Sequence, residues 1–192
     1  VVKSEIFASG KVPTDKCTVH KLVEICSVSK DLPTEFCHMY EDLTEIGYQE
    51  FYYCSNLTKV TIPNGVVTIG ESAFRSCSNV NTLTIPEGVT SIGAYAFSGT
   101  AITEITIPGS VANIGNSAFR SCTKLANITI SEGVTSIGEY AFACYKANLS
   151  SLVEIVIPSS VTTIGGYAFK YCSKLKTVTV LAETPPTAGS YM

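Results

Sequence analysis

Charge is what this chain has least of. Only 15% of its 192 residues are charged, the formal net charge is −3, and there are just two histidines, His20 and His38. A nucleic-acid binder shows a basic patch or stripe; the 13 Lys and Arg here are scattered, so nucleic acid is not an expected partner. No apolar run reaches the ~20 residues a bilayer-spanning helix requires, so direct membrane insertion is not expected. Hydrophobic residues nevertheless make up 45% of the chain, too many for disorder. Catalytic equipment is missing as well. There is no GxSxG, no HExxH and no glycine-rich phosphate loop. Asp occurs only at Asp15, Asp31 and Asp42, Glu is spread singly, and no Ser or Cys nucleophile has a visible base. The reading is a non-enzyme that uses no cofactor and no metal.

What the chain does have is repetition. Ile-Gly recurs at Ile46-Gly47, Ile69-Gly70, Ile92-Gly93, Ile114-Gly115, Ile137-Gly138 and Ile164-Gly165, at spacings of 23, 23, 22, 23 and 27. The last spacing is long because "YKANLSS" is inserted before Leu152. The unit reads L-x-x-I-x-I-P-x-x-V-x-x-I-G-x-x-A-F-x-x-C. Self-similarity at such a period marks a stacked-repeat architecture.

Each part of the unit has a physical meaning. "LTIP" at Leu83–Pro86 alternates apolar and polar, as a short strand with one buried face does. Pro63, Pro86, Pro108 and Pro158 remove a backbone donor and end the strand; Ser131 and Leu181 replace proline in two repeats. Val89 and Ile92 point inward, and Gly93 permits φ > 0 or close backbone approach. "GESAF" and its relatives read as one helical or 3₁₀ turn that buries Phe74, Phe97, Phe119, Phe142 and Phe169. The first repeat keeps Phe51 with Glu50 in place of Ala. A lone unit cannot bury its apolar face, whereas stacked units form a continuous core.

At these residues a resemblance becomes visible. "TIPEGVTSIGAYAF" and "TIPGSVANIGNSAF" resemble the BspA-type leucine-rich repeats of bacterial surface proteins, found also in some parasitic protists, over about residues 43–192. The resemblance implies a right-handed solenoid, α+β in class, with one short strand per ~23-residue coil and a helical N-terminal cap. It also implies a secreted or cell-surface protein that binds other proteins, host extracellular-matrix proteins among them. "AETPPTAGSYM" is similar to the segment that follows a final strand in such arrays, and the native chain is expected to run further. Nothing in "VVKSEIFASGKVPT" has the order of a signal peptide; the expectation is that the chain begins downstream of a leader.

Residues 1–42 do not fit the repeat and are assigned as a cap, with the array at 43–192. "CTVHKLVEICSVSK" has near-helical apolar spacing with Thr18 as N-cap, and "LPTEFCHMYEDL" starts like a second short helix. A degenerate repeat or the edge of another domain are the alternatives. Five of the eight cysteines, Cys54, Cys77, Cys122, Cys144 and Cys172, are assigned one place in the repeat. There they read as small buried hydrophobes, unreactive and without disulfides because parallel Cβ vectors give poor bridge geometry. Cys17, Cys26 and Cys37 with His20 and His38 match no common zinc spacing and read as free cap thiols, with one disulfide or a metal site as the alternatives. Of the sequons at Asn56, Asn127 and Asn148, the last lies in the insertion and is the accessible one.

Function is expected on the solvent side of the strands. One outward column, Thr61, Thr84, Thr106, Thr129, Val156 and Thr179, is almost all Thr, a good β-former that tolerates water. The column Lys59, Thr82, Glu104, Asn127, Glu154 and Thr177 varies most, and these six are the candidate partner contacts. The expected function is adhesion or recognition of a protein partner across this face. The alternatives are a structural spacer in a larger surface protein and a Thr array that templates ice or a polymer, which the charges of the neighbouring columns disfavour. Nothing in the residues sets the oligomeric state.

Overall fold

The computed structural model describes residues 43–55 and 57–190. They wind into a right-handed β-solenoid of about six coils, one coil per repeat. Each coil carries two short strands. One set ends on the Ile of Ile-Gly: β1 (Glu45–Ile46), β3 (Thr68–Ile69), β5 (Ser91–Ile92), β7 (Asn113–Ile114), β9 (Ser136–Ile137), β11 (Thr163–Ile164) and finally β13 (Thr187–Ala188). The other is the L-x-x-I-x-I strand: β2 (Lys59–Thr61), β4 (Thr82–Thr84), β6 (Glu104–Ile107), β8 (Asn127–Ile130), β10 (Glu154–Ile157) and β12 (Thr177–Val180). Every pairing is parallel.

The expected one strand per coil is therefore corrected to two. The β1 set forms a single seven-stranded sheet along the whole array. Its two-residue strands, one side chain out and one in, are too short for alternation to reveal them. The β2 set behaves differently and pairs only two by two, β2–β4, β6–β8 and β10–β12. Proline gives a reason. Ser131 donates to the Ile107 carbonyl at 3.0 Å and Leu181 to Ile157 at 3.0 Å, closing the four-residue ladders β6–β8 and β10–β12. Pro108 and Pro158 stand at the same place after β6 and β10 and have no N–H to give. No ladder pairs β4 with β6 or β8 with β10. The same proline opens a β-turn to the inward valine, as in Val111 N to Pro108 O at 3.0 Å.

The arc from Ile-Gly to Cys is also corrected. It is neither helical nor 3₁₀, and no helix occurs among the described residues. In a helix every donor would turn inward along the segment's own axis. Here donors alternate. Ala73, Arg75 and Cys77 bond three residues back within the coil, while Ser72, Phe74 and Ser76 bond to Ala94, Ala96 and Ser98 of the next coil at 2.7–2.8 Å. The alternation goes with left-handed backbone at Ser72 (φ 57) and Ser76 (φ 62) and at their equivalents in every coil but the fifth, where Cys144 is not left-handed. The α part of the expected α+β class rested on the cap at residues 1–42, which lies outside the described residues.

Glycine serves close approach. A Cβ on Gly115 would lie 2.5 Å from the Ile92 carbonyl oxygen and 2.6 Å from the backbone of Gly93, and Gly70, Gly93, Gly138 and Gly165 are similarly crowded by the preceding coil. Gly47 starts the array, and among the described residues its Cβ would meet only the Glu50 carboxylate at 3.2 Å.

With the coils held this close, the inward side chains form ladders. Phe51, Phe74, Phe97, Phe119, Phe142 and Phe169 stack in sequence, centroids 4.9–5.7 Å apart and rings within 16° of parallel. That is offset stacking, favourable beyond area burial alone. Val66, Val89, Val111, Val134 and Val161 make a second ladder, and the Ile of Ile-Gly a third. The 27-residue coil stays in register because the Glu132 carboxylate accepts the Ser159 and Ser160 backbone N–H groups at 2.9 and 3.0 Å.

Two substitutions test this packing. Phe119→Ala is expected to cost ~3–5 kcal/mol in chemical denaturation, by the cavity argument; a loss under ~1 kcal/mol would contradict its burial. Gly115→Ala is expected to cost ~1–3 kcal/mol or more by overpacking, while Gly47→Ala stays within ~0.5 kcal/mol, as surface changes do.

Candidate recognition site

All six strand-face candidates fall in one column. Lys59 pairs in register with Thr82, Glu104 with Asn127, and Glu154 with Thr177. The splitting of the strands divides that column into three pairs. Between β4 and β6, where no ladder closes the gap, a groove of about 220 Å³ opens. Glu104, Asn127, Thr84, Thr106 and Thr129 line it together with Leu83, Ile85 and Ile105. Glu104 and Asn127 are thus brought into one concave site; the other four candidates are not among its lining. The Thr column is cut by the same gaps, pairing as Thr61–Thr84, Thr106–Thr129 and Val156–Thr179. A lattice-matching array needs an evenly spaced ladder, and here pairing is not continuous from one pair of strands to the next.

The opposite arc holds what the column reading missed. All eight described tyrosines, from Tyr48 to Tyr171, lie between an Ile-Gly and the following strand. Tyr95, Tyr140 and Tyr167 stand two residues after the glycine, at φ 57, 55 and 59. Cations stand five residues after it in every second coil: Arg75, Arg120 and Lys170. Arg75 lies 4.8 Å from the Tyr95 ring centroid, Arg120 5.4 Å from Tyr140, and Lys170 4.6 Å from Tyr167 and 5.9 Å from Tyr140. Tyr140 and Tyr167 stack at 4.9 Å. A cation–aromatic stripe therefore runs along the axis, each contact within the range where ring and charge attract. Reading the columns after the glycine as closely as those before the proline would have exposed it.

The cysteines need one correction. Cys54, Cys77, Cys122 and Cys172 stand three residues after the ladder phenylalanine, but Cys144 stands two after Phe142, and Tyr145 takes the fifth place. The Cys144 backbone N–H donates to Lys170 O at 2.9 Å, just as that of Ser121 does to Ala143 O at 2.7 Å. The ladder thiols are more than apolar filling. Cys77, Cys122 and Cys172 donate to the carbonyls of Phe51, Phe97 and Phe142 one coil back, at 2.9, 3.2 and 3.3 Å. All five described cysteines are thiols, and all are buried.

Their acidities diverge. Burial pushes the Cys122 thiol up to about 11. Cys144 moves the other way, to about 7, because Cys172 and then Ser150 hydrogen-bond its sulfur. The Cys172 S–H donates to Phe142 O. Cys172 is held well above the ordinary thiol range by the same contact and by burial. Among the described residues no three His, Cys, Asp or Glu side chains gather as a metal site, and no helix is long and apolar enough to cross a membrane. Cys17, Cys26, Cys37, His20, His38 and the Asn56 sequon lie outside the described residues. Asn148 is exposed, on the insertion.

Compared with known proteins, the chain matches the profile of the BspA type leucine rich repeat region in six copies, over residues 44–176 and 144–191. No curated protein matches it. It is similar to the crystal structure of a leucine rich cell surface protein of Faecalibacterium prausnitzii, with 35% identity and a TM-score of 0.66 over 76% of this chain and 38% of that one. A T. pallidum leucine rich repeat protein shares 27% identity at a TM-score of 0.71, over 82% of this chain and 71% of that one. A Bacteroides ovatus leucine-rich repeat protein shares 27% at 0.55, over 77% and 43%. The chain spans less than half the length of the F. prausnitzii and B. ovatus proteins.

The thiol chemistry is testable by alkylation and peptide mapping of the folded protein. Since the thiolate is the reactive form, Cys144 is expected to label first among the five, at a rate rising through about pH 7. Cys122 is expected to label only on unfolding. Equal, slow labelling of all five would contradict the Cys144–Cys172 contact.

Proposed function

This chain belongs to the BspA-type leucine-rich repeat family, and on that premise we propose that it is a non-enzymatic recognition module that holds a protein partner against its strand face, outside the cell or at its surface. The observation that carries this reading is the groove between β4 and β6. It is open and lined by varied polar side chains over an apolar base. The rigid ladders behind it hold those side chains still, so little ordering entropy is lost when a partner docks. The F. prausnitzii relative, a leucine rich cell surface protein, supports the location. A host matrix protein is the partner class that the family suggests.

Glu104 and Glu154 lie two coils apart in the candidate column, about 10 Å by ordinary strand spacing and more where the strands part. Rim charges act chiefly on association rate and its salt dependence. Glu104→Lys with Glu154→Lys is therefore expected to slow association with a matrix-protein partner about tenfold at low salt and to leave the unfolding midpoint unchanged. An unchanged rate and salt dependence would place the contact elsewhere.

A further inference from the structure

We propose that the turn arc is a second recognition surface, built for a linear uronic-acid polysaccharide whose sugar rings lie on Tyr95, Tyr140 and Tyr167 while its carboxylates meet Arg75, Arg120 and Lys170. This surface is separate from the strand face, and the two readings stand or fall independently.

The backbone marks these tyrosines, as it does Tyr53 and Tyr171 in the next left-handed column. A bulky residue at positive φ is an outlier, held only where the surroundings over-determine it. The array has smaller solutions at hand. Ser72 and Ser117 occupy the Tyr95 column in alternate coils, and Gly99 occupies the next left-handed column. Tyrosine stands there against its own backbone preference, so its ring has a use that serine would not serve. Part of that use is internal, since each ring lies against a cation. An arginine lying flat on a ring keeps its in-plane N–H groups for a carboxylate, which it binds as a fork.

Spacing selects the partner. Cations recur every second coil, about 10 Å by ordinary strand spacing, with a tyrosine in the coil between. A β-linked copolymer of uronate and neutral sugar repeats over a similar length, one carboxylate per disaccharide, with a flat apolar sugar face between charges. A folded protein partner has no such repeat. Glu71 and Glu139 follow the glycine on the sheet side of the arc, and Glu50 closes on the Gly47 N–H. They repel a polyanion from that side and confine it to the stripe.

The test is titration of the full chain with sized hyaluronan oligosaccharides, which alternate glucuronate and N-acetylglucosamine, against chitin oligosaccharides of equal length, which carry no carboxylate. Affinity for hyaluronan is expected to climb with each disaccharide up to three, to fall with added salt, and to exceed that for chitin. Arg120→Gln and Tyr140→Ser are each expected to weaken it about tenfold. The serine variant keeps a residue that the column already accepts, so an unchanged unfolding midpoint separates lost contact from lost fold. Absence of hyaluronan binding, equal binding of chitin, or binding untouched by both variants would overturn the proposal. So would loss of binding in Glu104→Lys/Glu154→Lys alone, which would assign the glycan to the strand face.

Discussion

Everything in this molecule depends on neighbouring coils lying within one hydrogen-bond length of each other along two arcs at once. On the sheet side the Gly115 N–H reaches Ile92 O at 3.1 Å; on the turn side the Phe97 N–H reaches Ala118 O at 2.8 Å. Glycine after the isoleucine from Gly70 to Gly165 makes the first approach possible, because any Cβ there would sit inside the preceding backbone. Left-handed residues at two places in the turn make the second possible, because they aim alternate donors along the axis. The phenylalanine, valine and isoleucine ladders follow from those distances. Because each coil touches only its neighbours, stability is a sum of interfaces.

The third side is released from this constraint. There the strands couple only in pairs, and Pro108 and Pro158 withhold the N–H that would add a rung between one pair and the next. What the fold gives up in sheet continuity reappears as a groove with polar walls. The turn side, by contrast, is bonded from coil to coil and carries its tyrosines and cations at fixed intervals. One face is thus irregular and concave and the other regular and ridged, which is why the two are assigned different kinds of partner.

Much of the architecture was legible because the repeat states it many times. The inward phenylalanines and valines, the strand before proline and the stop at proline all stand where the pattern puts them. The sheet strand of the Ile-Gly segment was not legible, since two residues carry no measurable period. The turn was misread because Ala and Phe after a glycine suggest a helix, while positive φ is normally written as Gly or Asn and here is written as Ser and Tyr. "AFAC" so resembles "AFRSC" that the missing residue before Cys144 passed unnoticed, although it decides which thiol meets which. The strand-face column was legible, but the groove was not. It arises where the strand ladder does not continue, and no side chain records that.

Native-state hydrogen exchange, read residue by residue, tests the central claim most directly. If coil-to-coil bonding on two sides holds the array and the third side is loosely tied, the amides of Gly93, Phe97, Gly115 and Phe119 exchange slowest, near the rate of global opening. The β6 amides that face β4 exchange orders of magnitude faster, at rates set by solvent access in the groove. Uniform protection across all three sides, or slow exchange in β6 with fast exchange at Phe97 and Phe119, would contradict the account.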